Sequence, residues 1–594
     1  MKIRTLFALL LVLVLLLSGC ETASDSEDTA QLADEQDTAL DSAGLFSDRD
    51  REGSFDESSS AVIELTGASA SCSSSAVEID GSTVTITDEG TYLLRGTLDD
   101  GMIIVDAEKT DKTQLVLDGV SIHSETSAPI YVLQADKVFI TLADSSNSTL
   151  SNGGTFTAID DNNIDAVIFS KEDLTVNGTG SLTVTSPAGH GIVSKDELTV
   201  AGGSIEIVSA SHGLSGKDNI CITEAALRIA SGKDGIQAEN DEDASLGFVY
   251  IESGSFEISS EGDGISASAS LQILDGSFDI VSGGGSENSA QHSSDSWGSF
   301  MEGGHGGGGG RPGGGDFGGG FDGNTASVNT EENDTSIKGI KASGRLTISG
   351  GDFIIDSADD AVHSNSDLTV NGGTFEIATG DDGFHADKTL TVTAGTIHIS
   401  ESYEGLEGLC IDISGGDITL TATDDGLNAA GGTDQSGFGG PRGGDMFGSS
   451  NSGSYIRISG GRISIHASGD GIDSNGTLSI SGGMVTVCGP TSGDTAVLDY
   501  ETTGTISGGT FIGTGSYMMA QTFSSSENQG VIAVSVGNQP AGTLITLTDA
   551  EKNTVISYSP GLSFAIVILS SPDIIKGESY TITVGEASGE FTAG

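Results

Sequence analysis

Apolar residues along the middle of this chain alternate with Ser, Thr and charged residues over a few positions at a time, and Gly-rich turns cut the runs apart. Alternation of period two predicts half-buried strands. The lack of helical spacing after the leader predicts almost no helix. The strand pattern recurs about every 22 residues, the signature of a stacked repeat. Each repeat carries three short runs. The first follows a corner, as in Gly191-Ile192-Val193-Ser194. The second reads like Glu197-Leu198-Thr199-Val200 or Arg345-Leu346-Thr347-Ile348. The third follows a Gly pair, as in Gly373-Thr374-Phe375-Glu376-Ile377. Three strands and three corners per repeat predict an all-β coil, a parallel β-helix, with glycine at corners that need positive φ. Phe256, Phe278, Phe353 and Phe375 share one phase of the third strand, followed by Ile397, Ile418, Ile463, Val485 and Phe511. This column is predicted to fill the core rather than to form an aromatic sugar platform.

Four segments follow from composition, the third with two inserts. Residues 1–20 form a leader: Lys2 and Arg4 precede the apolar stretch Leu6 to Leu17, and Leu17-Ser18-Gly19-Cys20 resembles a bacterial lipoprotein signal with Cys20 as the lipidated residue. An ordinary secretory signal with an incidental Cys20 is the other reading. Residues 21–60 are acidic and Ser-rich and predict a disordered tether. Residues 61–526 hold the coil, less regular up to about residue 165. Gly-rich inserts at 283–336 and 431–454 read as flexible loops. Residues 527–594 lose the period, and Thr543-Leu544-Ile545-Thr546-Leu547 and Tyr580-Thr581-Ile582-Thr583-Val584 predict a small β-sandwich-like cap.

Charge narrows the partners. With 86 acidic against 23 basic residues the formal charge is −63. Such a chain has nothing with which to neutralise a row of phosphates, so nucleic acid is excluded. Docking on anionic lipid through a basic patch is excluded likewise, leaving the lipid on Cys20 as the membrane contact. Of five cysteines, Cys221 and Cys410 lie in rungs far apart. Strands about 4.8 Å apart place them well beyond the roughly 7 Å that a disulfide spans. Cys221, Cys410 and Cys488 are therefore expected as buried thiols, and Cys72 stays open. The chain carries no phosphate loop, no Gly-x-Ser-x-Gly elbow and no His-Glu-x-x-His.

The corners carry the candidate chemistry. Lys233-Asp234-Gly235-Ile236, Gly262-Asp263-Gly264-Ile265, Asp359-Asp360-Ala361-Val362, Asp381-Asp382-Gly383-Phe384, Tyr403-Glu404-Gly405-Leu406, Asp424-Asp425-Gly426-Leu427 and Gly469-Asp470-Gly471-Ile472 share one form. In stacked coils Asp360, Asp382, Glu404, Asp425 and Asp470 form one line, with Asp359, Asp381 and Asp424 beside it. Two ionised carboxylates about 5 Å apart repel by roughly 3 kcal/mol at an effective dielectric near 20. Ca²⁺, a hard cation that takes 6–8 oxygens, would relieve this. The alternative is that Asp-Gly is good corner chemistry, with side chains splayed into solvent. After each corner comes a polar row: Gln237, Ser266, Lys341, His363, His385, Glu407, Asn428 and Asp473. Lys341, His363, His385, Glu407, Asn428 and Asp473 are the candidate glycan contacts. Lys341, His363 and His385 are also the weak candidates for a catalytic base. A plain solvated strand face is the competing reading. Lys171, Lys195 and Lys217 make a second short row.

The Asp-Asp-Gly-aliphatic corners, the Leu-Thr-Ile/Val strands before Gly pairs, the two Gly-rich inserts and the opening Leu115-Val116-Leu117-Asp118-Gly119-Val120-Ser121-Ile122 resemble the bacterial carbohydrate-binding domain proteins. The resemblance covers residues 61–594. It implies a right-handed parallel β-helix of the polysaccharide-lyase-like type, calcium between coils, and binding of plant-type or acidic polysaccharide without established lyase activity. The positions that match are Asp359, Asp360, Asp381, Asp382, Asp424, Asp425 and Asp470; Glu404 and Ala361 depart from the pattern. The expected protein is a monomeric, lipid-anchored, cell-surface, calcium-dependent polysaccharide binder. A calcium-dependent pectate-type lyase and a structural adhesin or spacer stand as rivals.

Overall fold

Within the repeats, each strand pairs with the equivalent strand of the next repeat. The computed structural model describes residues 44–289, 336–429, 453–491, 493 and 495–594, all within one unit, Leu40–Gly594. Among them, one hydrogen-bonded sheet takes in 46 strands and a second takes four. Pairing in the large sheet is parallel except at its two ends. The chain is all-β. Its described helices are the single turn Asp48–Arg51 and the 3₁₀ turn Ser286–Asn288.

Three parallel ladders run through the repeats, and the chain visits them in turn. One joins Ile236–Ala238, Ile265–Ala267, Ile340–Ala342 and Val362–Ser364. Another joins Phe248–Ile251, Leu271–Ile273, Leu346–Ile348 and Leu368–Val370. The last joins Gly254–Ser260, Ser277–Ser282, Asp352–Ser357 and Thr374–Thr379. The register crosses the insert without slipping, since Ile265 pairs with Ile340 and Phe278 with Phe353. Slippage by one residue would turn every apolar side chain outward, so the burial pattern fixes the pairing.

The third ladder stacks its core residues as the phase predicts, from Phe256 through Phe278, Phe353 and Phe375 to Ile397, Ile418, Ile463, Val485 and Phe511. Successive Phe rings lie 4.6 Å apart and within 3° of parallel. Phe384 meets the last of them edge-on at 5.4 Å. Phe375→Leu keeps the site apolar but removes both ring contacts. It is expected to cost about 1–2 kcal/mol, read as a lower urea midpoint with an unchanged slope.

Two expectations need correcting. Positive φ belongs to the glycine before the third strand, as at Gly351 (111°) and Gly373 (102°). The glycines of the acid-Gly corners are absent from that group, and their role is close approach. A Cβ on Gly383 would lie 2.6 Å from the Gly405 carbonyl oxygen of the next coil and 2.4 Å from Ile399. The second correction concerns residues 44–60, expected as the end of a tether. They lie against the coil instead. Asp50 is buried, with its carboxylate 2.8 Å from Lys137 Nζ and accepting from Thr175 Oγ1 at 2.5 Å. Asn177 Nδ2 donates to the Asp50 carbonyl at 3.0 Å.

At the far end Phe564–Ser570 pairs antiparallel with Thr510–Gly515 and with Val531–Gln539, which covers the open edge of the last coil. A second apolar cluster, including Ile512, Val567, Ile545 and Ile582, joins these strands to the four-stranded sheet. Cys72, Cys221, Cys410 and Cys488 are all free thiols. Cys20 and most of both inserts lie outside the described residues.

Candidate functional site

Corner stacking brings the acids into register. The column two residues before each first-ladder core residue reads His190, His212, Asp234, Asp263, Lys338, Asp360, Asp382, Glu404, Asp425, Asp470 and Ala496. Most of these acids serve the backbone with one oxygen. Asp234 Oδ1 accepts from the Asp263 N–H at 2.8 Å and Asp263 Oδ1 from the Lys338 N–H at 2.7 Å. Asp360 Oδ1 accepts from the Asp382 N–H at 3.0 Å and Asp382 Oδ1 from the Glu404 N–H at 3.2 Å. Asp425 and Asp470 do the same for the N–H groups of Asp470 and Ala496. These amides point along the stack and would be costly to bury unpaired. Aspartate has the reach for this. Glu404 turns its Oε2 to Asn428 Nδ2 at 2.8 Å instead. The second carboxylate oxygen of each Asp remains for other chemistry.

Sequence reasoning missed Lys338, His190 and His212, because it searched the column for acids. The signal was present in the same corner form, as Lys338-Gly339-Ile340, His212-Gly213-Leu214 and His190-Gly191-Ile192. Lys338 is buried and its Nζ lies 2.9 Å from Asp359 Oδ2 and 2.7 Å from Asp360 Oδ2. Burial alone would raise the Asp360 carboxyl, but Lys338 and His363 hold it well below the usual carboxylate range.

The polar row is in register from Gln237 through Ser266, Lys341, His363, His385, Glu407 and Asn428 to Asp473. It is not a uniform solvated face. His363 and His385 are each 1% exposed and their rings stack at 4.8 Å. His363 Nδ1 sits 2.8 Å from Asp360 Oδ2. His385 touches Asp382 Oδ2 and Asp387 Oδ1, both at 3.2 Å, and Glu407 Oε2. Burial would lower the His385 pKa, but these three carboxylates raise it well above the ordinary imidazole value. Asn428 is also buried, and its Oδ1 has no hydrogen-bond partner.

Lys341 is one of the partly exposed members of the row, with Gln237, Ser266, Glu407 and Asp473. It borders a cavity of about 470 Å³ lined by His212, Lys233, Asp234, Gln237, Asp263 and Ser266, among others. Its Nζ lies 3.8 Å from Asp263 Oδ2. Burial and Asp234 push Asp263 up to about 6, and Lys341 limits the rise. Lys171, Lys195 and Lys217 occupy equivalent corner positions, each following a paired residue of the first ladder.

Among the described residues, four groups bring ligand atoms within 4.8 Å of one another. Asp359, Asp360 and Asp381 form one, and Asp425, Asp470 and Asp473 another. Both offer oxygen alone, which suits Ca²⁺. At the first, Lys338 already supplies positive charge. At the second, burial together with Asp424, Asp470 and Asp473 pushes Asp425 up to about 9. The other two groups, Asp360 with His363 and His385, and Asp382 with His385 and Glu407, include an imidazole nitrogen.

The chain belongs to the family described as carbohydrate-binding domain-containing proteins, whose model matches residues 80–383 and 382–538. A protein of that description from Acetivibrio thermocellus is 41% identical over 126 residues, which is 21% of this chain and 44% of the relative. The chain thus matches less than half the length of that relative. The chain is also similar to a solved structure described as a polysaccharide lyase-like protein from C. thermocellum, a gadolinium derivative. That similarity has 34% identity and a TM-score of 0.36, over 37% of this chain and 89% of the other.

Proposed function

We propose that the three ladders close into a right-handed parallel β-helix that binds polysaccharide at its corner face, with Ca²⁺ held by the acid column. Family membership supports the carbohydrate reading. The observation that carries it is the register of the acids beside an accessible cavity with Lys233, Lys341, Gln237 and Ser266 on its walls. Such a mix of donors and acceptors suits hydroxyl and carboxylate groups of a sugar chain. Asp425, Asp470 and Asp473, with Asp424 adjacent, are the preferred Ca²⁺ ligands. Asp359, Asp360 and Asp381 form a weaker set because Lys338 competes there. Bound Ca²⁺ would bridge protein and uronate carboxylates, which reconciles an acidic protein with an acidic glycan. The glycan contacts in this reading are Lys341, Glu407 and Asp473, since His363, His385 and Asn428 are buried. Anchoring at the outer membrane face through Cys20 completes the proposal.

On a glycan array carrying polygalacturonate, cellulose and host-type glycans, retention of the uronate polymer in Ca²⁺ and its loss in chelator are expected. Lys341→Ala should weaken that retention. No glycan retained under either condition would leave a spacer as the answer. The lyase reading is favoured by one observation, the placement of Lys341 in the cavity, where it would act as the base on the proton beside a uronate carboxylate. Accumulation of an ultraviolet-absorbing unsaturated product from polygalacturonate would establish it.

A further inference from the structure

His385 meets three carboxylates with two ring nitrogens. Its Nε2 lies 3.2 Å from Asp387 Oδ1. Its Nδ1 lies 3.2 Å from Asp382 Oδ2 and in contact with Glu407 Oε2. A neutral imidazole has one N–H. Given to Asp387, it leaves the Nδ1 lone pair facing two carboxylate oxygens. A doubly protonated ring has one N–H at Nδ1, which points along one direction and serves one of the two. Asp382 and Glu407 are themselves within hydrogen-bonding reach of each other. His385 and Asp382 are enclosed, at 1% and 4% exposed, while Glu407 and Asp387 are partly exposed.

A cation seated among Nδ1 and the two oxygens resolves each conflict. It accepts the lone pair, neutralises two carboxylates and leaves the Nε2 proton on Asp387. That last contact is the carboxylate–histidine–metal arrangement that orients metal-bound imidazoles. One coil beyond Glu407 on the same row stands a buried amide. Asn428 is 6% exposed, its amide nitrogen is committed to Glu404, and its Oδ1 is without a partner. Imidazole nitrogen with carboxylate oxygen suits first-row transition ions, whereas Ca²⁺ selects oxygen. We propose that Asp382, His385 and Glu407 form a second metal centre, selective for a first-row divalent ion such as Zn²⁺ over Ca²⁺, with Asp387 as the positioning residue. The site is separate from the oxygen-only Asp425, Asp470 and Asp473 set. It stands whether or not the protein binds glycan.

The test uses the full chain, stripped with chelator, reloaded with excess Ca²⁺ and titrated calorimetrically with Zn²⁺, Co²⁺ and Mn²⁺. One equivalent of Zn²⁺ should bind without releasing Ca²⁺, with affinity falling from Zn²⁺ through Co²⁺ to Mn²⁺. Asp387→Asn should weaken Zn²⁺ about 10–100-fold, and His385→Gln by more, while both keep the Ca²⁺-dependent melting shift. If His385→Gln fails to fold, the wild type still decides through the visible spectrum of bound Co²⁺. Nitrogen-containing ligation supports the site. Zn²⁺ that merely displaces Ca²⁺, affinity unchanged in a folded His385→Gln, or no Zn²⁺ and Co²⁺ uptake by the wild type would each overturn it. His385 would then be a buried imidazolium held by carboxylates.

Discussion

Lys338→Met should lower stability by about 3–5 kcal/mol at neutral pH, the cost of removing one partner from a buried charge cluster. Lys338 Nζ is shared by Asp359 and Asp360, and all three side chains are almost fully enclosed. Methionine preserves the stem's packing, so the loss isolates the charge. The pH dependence follows from Asp360. Its folded pKa lies well below the unfolded value of 3.8. A carboxylate depressed in this way contributes stability above its unfolded pKa and loses it as pH falls through the folded value. The gap between wild type and Lys338→Met should therefore be widest at neutral pH and narrow below about pH 4, where the variant's carboxyls accept protons. Urea midpoints across pH measure it. A gap that stays constant with pH would show that Lys338 acts through packing. Lys338→Asp extends the test: it makes this rung acidic like its neighbours, and on the calcium proposal its stability should depend on Ca²⁺ more steeply than that of the wild type.

Much of this architecture was legible from phase alone. Alternation located the strands, the Gly pairs located the turns before the third strand, and the Phe256-to-Phe511 column stacked where its spacing said it would. The acid corners lay in register for the same reason, because the strands that follow them pair in phase whatever the length of the loop between them. What stayed hidden depends on residues far apart in sequence. Lys338 joins the column across an insert, with its backbone N–H on Asp263, 75 residues earlier. The polar row was expected to face water, since the residue after a core position points away from the core. His363 and His385 do point away, but Asp360, Asp382, Asp387 and Glu407 close around them. Residues 44–60 looked like tether because they are poor in apolar side chains. Their docking combines the polar contacts of Asp50 with Lys137 and Thr175 and three scattered apolar anchors, Leu45, Phe46 and Phe55, too sparse to make a periodic pattern.

On the calcium proposal, the protein in chelator should become progressively less stable as pH rises, the opposite of the usual behaviour of a salt-bridged carboxylate. Asp425 is the reason. Burial and its acidic neighbours raise its folded pKa from 3.8 to about 9. Between those values the unfolded chain has released the proton and the folded chain keeps it. The folded state binds more protons, so stability falls with rising pH, by up to about 1.4 kcal/mol per pH unit for one such group. Below the unfolded pKa the penalty is absent, and above about 9 it is complete. A bound Ca²⁺ removes it by ionising Asp425 in place, so in excess calcium the slope should flatten and the gain from calcium should grow with pH. Each ion bound near neutral pH should also release close to one proton from this site, measurable as a buffer-dependent calorimetric enthalpy. Asp425→Asn keeps an Oδ1 for the Asp470 N–H but carries no charge. In chelator it should be more stable than wild type at pH 8 and lack the downward slope, and it should gain less from calcium. Equal pH profiles for wild type and Asp425→Asn in chelator would show Asp425 to be an ordinary solvated carboxylate, and the oxygen-only set would then give no reason to expect an ion.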